Sequence, residues 1–330
     1  DKWIMGIKKA YKKALKRVKR LAKEYYLSVE YPREYRKAAQ AELDPRKVVF
    51  IEVREKKLSD SFKLLYRDLT ENYDYSVQVI YLRESSSRFM RYHDNCVAML
   101  REIATASYVF LNDASNVVSC VPLREGSQVV QLWHGCGFKT RVNFVRCEKR
   151  YEYTTVISEL YAKIHQDIYG LREEQVLVTG YGKQDWLFHP HREAWEALCI
   201  PRADKYIFWL PTFRMAKTGL EKLNEYDLTG QTGLPVVNTP ERLQELDKLL
   251  GDLNTLLIIK LHPFQDQERL MKINMEHVVL LEHERLVEKD VQINQLLGLG
   301  DGLISDYSSA AVDYLLLDKP IGFTLEDMKE

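Results

Sequence analysis

Two α/β domains, each built on a parallel sheet, are predicted by three features of this 330-residue chain. Short apolar runs of strand length alternate with stretches of helix length, which is the pattern of βαβ units. The alternation is interrupted once, by a helical and charged stretch from Asp185 to Asp204, and then resumes. With 45% hydrophobic content, the chain is long enough to bury two ordinary cores. The boundary is placed between 184 and 185, which gives domains 27–184 and 185–330 behind a distinct segment, 1–26.

That first segment carries ten Lys or Arg against Asp1 and Glu24, a net +8, so residues 27–330 sum to −8 and the whole chain to zero. Ile4, Ile7, Tyr11, Ala14, Val18, Leu21 and Tyr25 recur at intervals of three and four, and Trp3 and Leu15 widen the stripe. Lysines and arginines fill the other faces. The period predicts a basic amphipathic helix suited to an anionic bilayer surface, with its apolar face in the interface and its cations on headgroups. A helix packed on the body of the protein, or a self-association seam, has the same periodicity. So dense a face of one sign repels itself in a parallel dimer, which favours the membrane surface.

From 27 to 47 the chain reads as a polar, Tyr-rich connector broken by Pro32 and Pro45. Strands are expected at Val48–Ile51, Val77–Leu82, Tyr108–Leu111, Val129–Leu132, Thr154–Ile157 and Val176–Thr179, with helices at Asp60–Leu69 and Arg91–Thr105. In the second domain strands are expected at Ile207–Leu210, Leu256–Leu261, Val278–Leu281 and Leu303–Ile304. Helices are expected there at Thr239–Gly251, Val291–Leu299 and Ala310–Leu317. The loop Thr218–Pro240, rich in Gly and Pro, is long enough to be functional or mobile.

Balanced net charge argues against a general nucleic-acid binder. The five cysteines form no CxxC pair, which fits reduced thiols in a cytosolic setting and makes zinc an unexpected ligand. No apolar run reaches the roughly 18 residues of a spanning helix, and the N-terminus lacks a signal peptide's apolar core. A peripheral protein without a bound metal is expected.

Polar residues of chemical interest fall just after the expected strands. Val129–Leu132 runs into Trp133, His134 and Gly135, with Lys139 close behind. His134 at a strand tip can serve as a general base near neutral pH, or it can be a histidine bonded within a tight turn; position alone favours neither. Arg214 follows the strand at Ile207–Leu210, and Lys260 and His262 end the strand at Leu256–Leu261. An arginine or histidine alone is usually a satisfied surface residue. Beside the hydroxyls of Ser308 and Ser309, however, Arg214 and His262 suggest a diphosphate pocket. His189 and His191 read as surface residues. Gly180 and Gly182 do not form a GxGxxG fingerprint, and no Walker sequence is present, which disfavours ATP hydrolysis and dinucleotide chemistry. Gly180 is expected to line a cleft between the domains, with Asp185 opening the next helix.

Taken in order, Gln131-Leu-Trp-His-Gly with Lys139, Thr179-Gly-Tyr-Gly-Lys-Gln-Asp185, Leu210-Pro-Thr-Phe-Arg214, Lys260-Leu-His-Pro263, Ile304-Ser-Asp-Tyr-Ser-Ser309, Asp313 and Asp318-Lys-Pro320 resemble the CDP-glycerol glycerophosphotransferase family. The resemblance covers roughly Tyr108–Phe323; the first hundred residues show no motif that aligns. Two departures stand out. Cys136-Gly137-Phe138 occupies the place where the family more often has Thr-Pro-Leu, which bears on the acceptor side. The chain also ends soon after Asp318-Lys-Pro320, where family members usually continue, so a closing segment is expected beyond Glu330.

The resemblance implies two Rossmann-like domains facing a cleft, a GT-B-like fold, on the cytoplasmic face of a bacterial membrane. It implies a CDP-glycerol or CDP-ribitol donor, a lipid-linked polyprenyl-diphosphate acceptor and no cofactor. His134 would be the catalytic base. His262, Ser308 and Ser309 would meet the donor phosphates, and Asp313 would lie near the donor's polyol. Arg214 and Lys260 join the donor side on local chemistry, while Gly135, Lys139, Gly180 and Asp185 fall to the acceptor side and cleft. Teichoic acid or capsule synthesis is the expected setting. A GT-B glycosyltransferase using a nucleotide-sugar and a non-catalytic module binding a membrane-linked polymer are the rival expectations.

Overall fold

A computed structural model describes residues 2–53, 57–82, 89–113, 115–122, 124–135, 151–212, 231–262, 265, 267–268, 270–306 and 308–325. The chain divides into two compact units, one comprising 1–134 and 143–180, the other 135–142 and 181–330. Each unit holds one parallel sheet.

The first unit opens with helix α1 (Lys2–Tyr25), a π-helical turn at Tyr26–Glu30 and α2 (Tyr31–Ala38). The stretch expected to be a polar connector is therefore largely helical. Pro32 stands in the first turn of α2, directly after the π-helical turn, and Tyr31 and Tyr35 recur at i and i+4 on a buried face. Glu34, between them, takes an ion pair from Arg101 at 2.6 Å that fastens α2 to a later helix.

Strands β1 (Asp44–Glu52), β2 (Ser76–Tyr81), β3 (Ala106–Leu111), β4 (Gln128–Gln131), β5 (Tyr153–Val156) and β6 (Val176–Val178) form a six-stranded sheet in the order β2-β1-β3-β4-β5-β6. The last five residues of β1 are buried, as befits an inner strand covered on both faces. Phe50 contacts Phe62 edge-on at 5.0 Å and stacks on Phe110 at the same distance. Helices α3 (Asp60–Asn72), α4 (Phe89–Ile103), α5 (Asn116–Ser119) and α6 (Glu159–Tyr169) complete the layers. α6 is not among the helices expected from sequence, although both its ends carry local signals. Ser158 caps the N-terminus by accepting the Tyr161 N–H, and Gly170 ends the helix at φ 67°.

In the second unit β7 (Lys205–Leu210), β8 (Thr255–Lys260), β9 (Val278–Leu281), β10 (Gly302–Ser305) and β11 (Ile321–Phe323) pair in the order β11-β10-β7-β8-β9. β11 is not among the strands expected from sequence. It is three residues long, and its partner β10 supplies the register that its own sequence does not announce. Around the sheet lie α7 (Asp185–Phe188), α8 (Arg192–Ala197), α9 (Pro240–Asp252), α10 (His283–Glu288), α11 (Ile293–Leu297) and α12 (Ser309–Tyr314). The charged stretch after Asp185 belongs to this unit's own layer, since Leu187, Ala194, Leu198 and Ile200 pack with Phe208 and Leu296. Most of the long Gly- and Pro-rich loop lies outside the described residues. Its end, 231–237, is packed, with Thr232, Leu234 and Val237 buried.

Candidate active site

Three neighbouring strands of the first sheet end in polar side chains at their carboxyl edge, where open parallel sheets bind ligands. Glu52 closes β1, Asn112 follows β3, and His134 stands three residues past β4. His134 is exposed, and its Nδ1 lies 2.9 Å from the Asn112 carbonyl oxygen. A carbonyl only accepts, so in the neutral ring Nδ1 carries the proton and Nε2 keeps the lone pair.

The residue before it sets the exit angle. Trp133 adopts φ 54°, a conformation that costs a non-glycine residue on the order of 1–3 kcal/mol. The surroundings enforce it. Buried Gln131 accepts the Trp133 N–H through Oε1 at 3.0 Å, and the indole Nε1–H donates to Thr154 Oγ1 at 2.8 Å. The indole stacks on Tyr169 at 4.9 Å and meets Tyr151 and His165 edge-on. His165 is itself buried, and burial pushes its pKa down to about 4. A neutral aromatic box thus grips the tryptophan and projects the histidine.

In the second unit the carboxyl edge is built around two buried carboxylates. Asp306, just past β10, accepts the Thr212 N–H at 2.9 Å and the Thr212 hydroxyl at 2.7 Å, tying the end of β7 to that of β10. Asp313, on α12, receives Lys183 Nζ at 2.5 Å and Gln184 Nε2 at 2.7 Å. Asp313 is 1% exposed, so both of its oxygens are engaged inside the fold. Asn294 adds a bond to the Lys183 carbonyl.

Ser308 caps α12, its hydroxyl accepting the Ala310 N–H, and Ser309 is half-buried beside it. Gly135, grouped with this second unit, takes φ 152°, and a Cβ there would fall 2.6 Å from Ser309 Oγ and 3.6 Å from Lys183 Nζ. Lys260 ends β8, and His262 stands two residues on, its carbonyl accepting the Gln265 N–H.

Of the remaining expected residues, Gly180 takes φ 74° and donates its N–H to Val156 O in the first unit. Asp185 opens α7 with its side chain exposed. Arg214 and Lys139 lie outside the described residues. Lys183 and Gln184 are not among the residues expected from sequence, where their neighbour Asp185 stands instead, and neither are Asn112 and Glu52. Lys183 lies inside a recognised motif, whereas Asn112 and Glu52 carry no local signal.

Two parallel sheets, each with polar side chains at the carboxyl ends of its strands, define a chain of two doubly wound α/β units. The chain belongs to the CDP-glycerol:poly(glycerophosphate) glycerophosphotransferase family, which matches residues 34–330. The match therefore reaches well upstream of the motifs that first suggested it.

Among relatives, it is 25% identical over 294 residues to the teichoic acid ribitol-phosphate polymerase TarK of Staphylococcus aureus, covering 83% of this chain and 53% of that one. It is 23% identical over 310 residues to the teichoic acid ribitol-phosphate primase of Bacillus spizizenii, covering 86% and 74%. The chain thus spans about half the length of the first of these. A solved structure of a variant of the wall teichoic acid polymerase TagF superposes with a TM-score of 0.61 at 19% identity, covering 96% of this chain and 79% of that one.

Proposed function

We propose that this chain transfers a polyol phosphate from a CDP-polyol to the hydroxyl of a lipid-linked acceptor, releasing CMP, in teichoic acid or capsule synthesis. Membership of the family over 34–330 is the observation that carries this reading. The acceptor hydroxyl oxygen attacks the β-phosphorus of the donor and a new P–O bond forms. The P–O bond to CMP breaks, and the hydroxyl proton passes to His134 Nε2. His134 is suited to that role because its tautomer leaves the lone pair on Nε2 while the ring stays exposed.

Phosphoryl transfer asks mainly for positioning and charge stabilisation. Lys260, His262, Ser308, Ser309 and Arg214 are assigned to the donor phosphates, and Asp313 to that side through the lysine it holds. Gly135, Lys139, Gly180 and Asp185 are assigned to the acceptor side. The first unit then carries the base and the second the donor, in a GT-B-like scheme. No cofactor is invoked.

Helix α1 supplies the membrane contact in this scheme. Tyr11, Leu15, Val18, Leu21 and Tyr25 are all exposed along it, among lysines and arginines on its other faces. An exposed apolar stripe flanked by cations matches the interface of an anionic bilayer, here the cytoplasmic leaflet. Among the described residues no helix is long and apolar enough to cross a membrane.

The test is turnover. The protein is incubated with a lipid-linked acceptor and, in separate reactions, CDP-glycerol, CDP-ribitol and a panel of nucleotide-sugars. Release of CMP from a CDP-polyol with growth of the acceptor supports the proposal. Release of a nucleoside diphosphate from a nucleotide-sugar would make it a glycosyltransferase, and no turnover of any donor would make it a binding module. His134→Ala is expected to lower kcat by about 10²–10⁴-fold with donor binding retained.

A further inference from the structure

The arrangement behind His134 assigns a role to two residues that no sequence motif marks. We propose that Glu52 and Asn112 are positioning residues for His134, holding the Asn112 carbonyl where it fixes the imidazole tautomer. The inference rests on His134 being the base.

The geometry is built from three adjacent strand ends in one unit. Glu52 is fully buried. Its Oε2 accepts one amide hydrogen of Asn112 at 2.7 Å, and its Oε1 accepts the Ser59 backbone N–H at 2.6 Å. The second Asn112 amide hydrogen goes to Ser59 Oγ at 2.9 Å. With both amide hydrogens committed, the Asn112 side chain cannot turn without breaking two bonds. Its backbone is held with it, and the carbonyl oxygen lies 2.9 Å from His134 Nδ1. An exposed reactive ring on a buried, hydrogen-bonded support is the arrangement a base needs to be oriented before substrate arrives.

A purely structural account is incomplete. Oε1 of Glu52 does serve the start of α3, but Oε2 reaches across to the end of β3. Asn112 Oδ1 is buried without a hydrogen-bond partner among the described residues. Such a group is retained against a penalty where the rest of the side chain serves a purpose beyond stability.

The experiment reads the tautomer and the chemistry separately in the full chain. The ¹⁵N shifts of the His134 imidazole, recorded above its titration, should show the Nδ1–H form in the wild type. Glu52→Gln keeps the volume but replaces an acceptor oxygen with an amide group, and Asn112→Ala removes the link. Each is expected to move the signal toward the Nε2–H form that imidazole prefers in water. Each should also lower kcat at least tenfold while the KM for the CDP-polyol changes less than twofold. Neither should lower activity further in a His134→Ala background.

Ser59→Ala removes a single bond and is expected to cost two- to threefold in kcat with a partial tautomer shift, so the inference stays testable if the stronger variants fold poorly. Wild-type kcat together with an unchanged Nδ1–H signal in folded Glu52→Gln would overturn the positioning role. Full activity of His134→Ala would instead overturn the base assignment, while a tautomer shift in Glu52→Gln would still show that the support exists.

Discussion

At the scale of single residues, the second unit depends on a buried ion pair. Lys183 and Asp313 have side chains 10% and 1% exposed and meet at 2.5 Å. Removing one partner from such a pair leaves a buried charge uncompensated. Lys183→Ala should therefore cost about 3–5 kcal/mol in chemical denaturation, and Lys183→Met combined with Asp313→Leu considerably less. If the single variant loses no more stability than the double, the pair is not what fastens the Gly182–Gln184 turn to α12. Gly135 gives a second residue-level prediction. The added Cβ of Gly135→Ala would press on Ser309 Oγ, so if Ser309 meets the donor phosphates as proposed, CDP-polyol affinity should fall at least tenfold in a binding titration. Gly182→Ala, with nothing within 4 Å of its new carbon, should bind as the wild type does.

At the scale of elements, the aromatic box joining the end of β4 to α6 is sensitive to pH. Burial holds the His165 pKa at about 4 against an ordinary 6.5, so the unfolded chain takes up its proton first as pH falls. The corresponding stability, roughly 3 kcal/mol, is complete above pH 6.5 and is lost progressively down to about pH 4. His165→Phe should flatten the pH dependence of unfolding free energy across that window, and an unchanged slope would locate the acid sensitivity elsewhere. Most strands were legible because their apolar runs are dense and continuous, as inner strands of a parallel sheet must be. The elements that escaped are short or amphipathic. β11 has three residues and borrows its register from β10, and α2 hides its buried tyrosines in a polar-looking stretch.

At the scale of the whole molecule, charge is segregated along the chain, with +8 in residues 1–26 and −8 in the rest. If α1 is the membrane contact, the protein should co-sediment with vesicles containing anionic lipid and not with neutral ones. Binding should weaken as salt shortens the Debye length from about 10 Å at 0.1 M toward 3 Å at 1 M. Lys16→Glu, Lys19→Glu and Lys23→Glu together should abolish it, and undiminished binding by that variant would assign the contact to another surface. The fold alone does not select the chemistry.

The sequence by itself determined the α/β class with two domains, the positions along the chain of nearly all the strands, and the motifs that led to the family. Each of these is written in local periodicity or in short runs of residues. It also marked His134, because a histidine between a tryptophan and a glycine at a strand tip is visible in one dimension. Only the tertiary structure decided what holds that histidine. Glu52, Asn112 and Ser59 come together because β1, β3 and β4 lie side by side. Lys183 and Gln184 meet Asp313 across more than a hundred residues of chain. A hydrogen bond between strand ends depends on sheet order and register, and no spacing within the sequence records either.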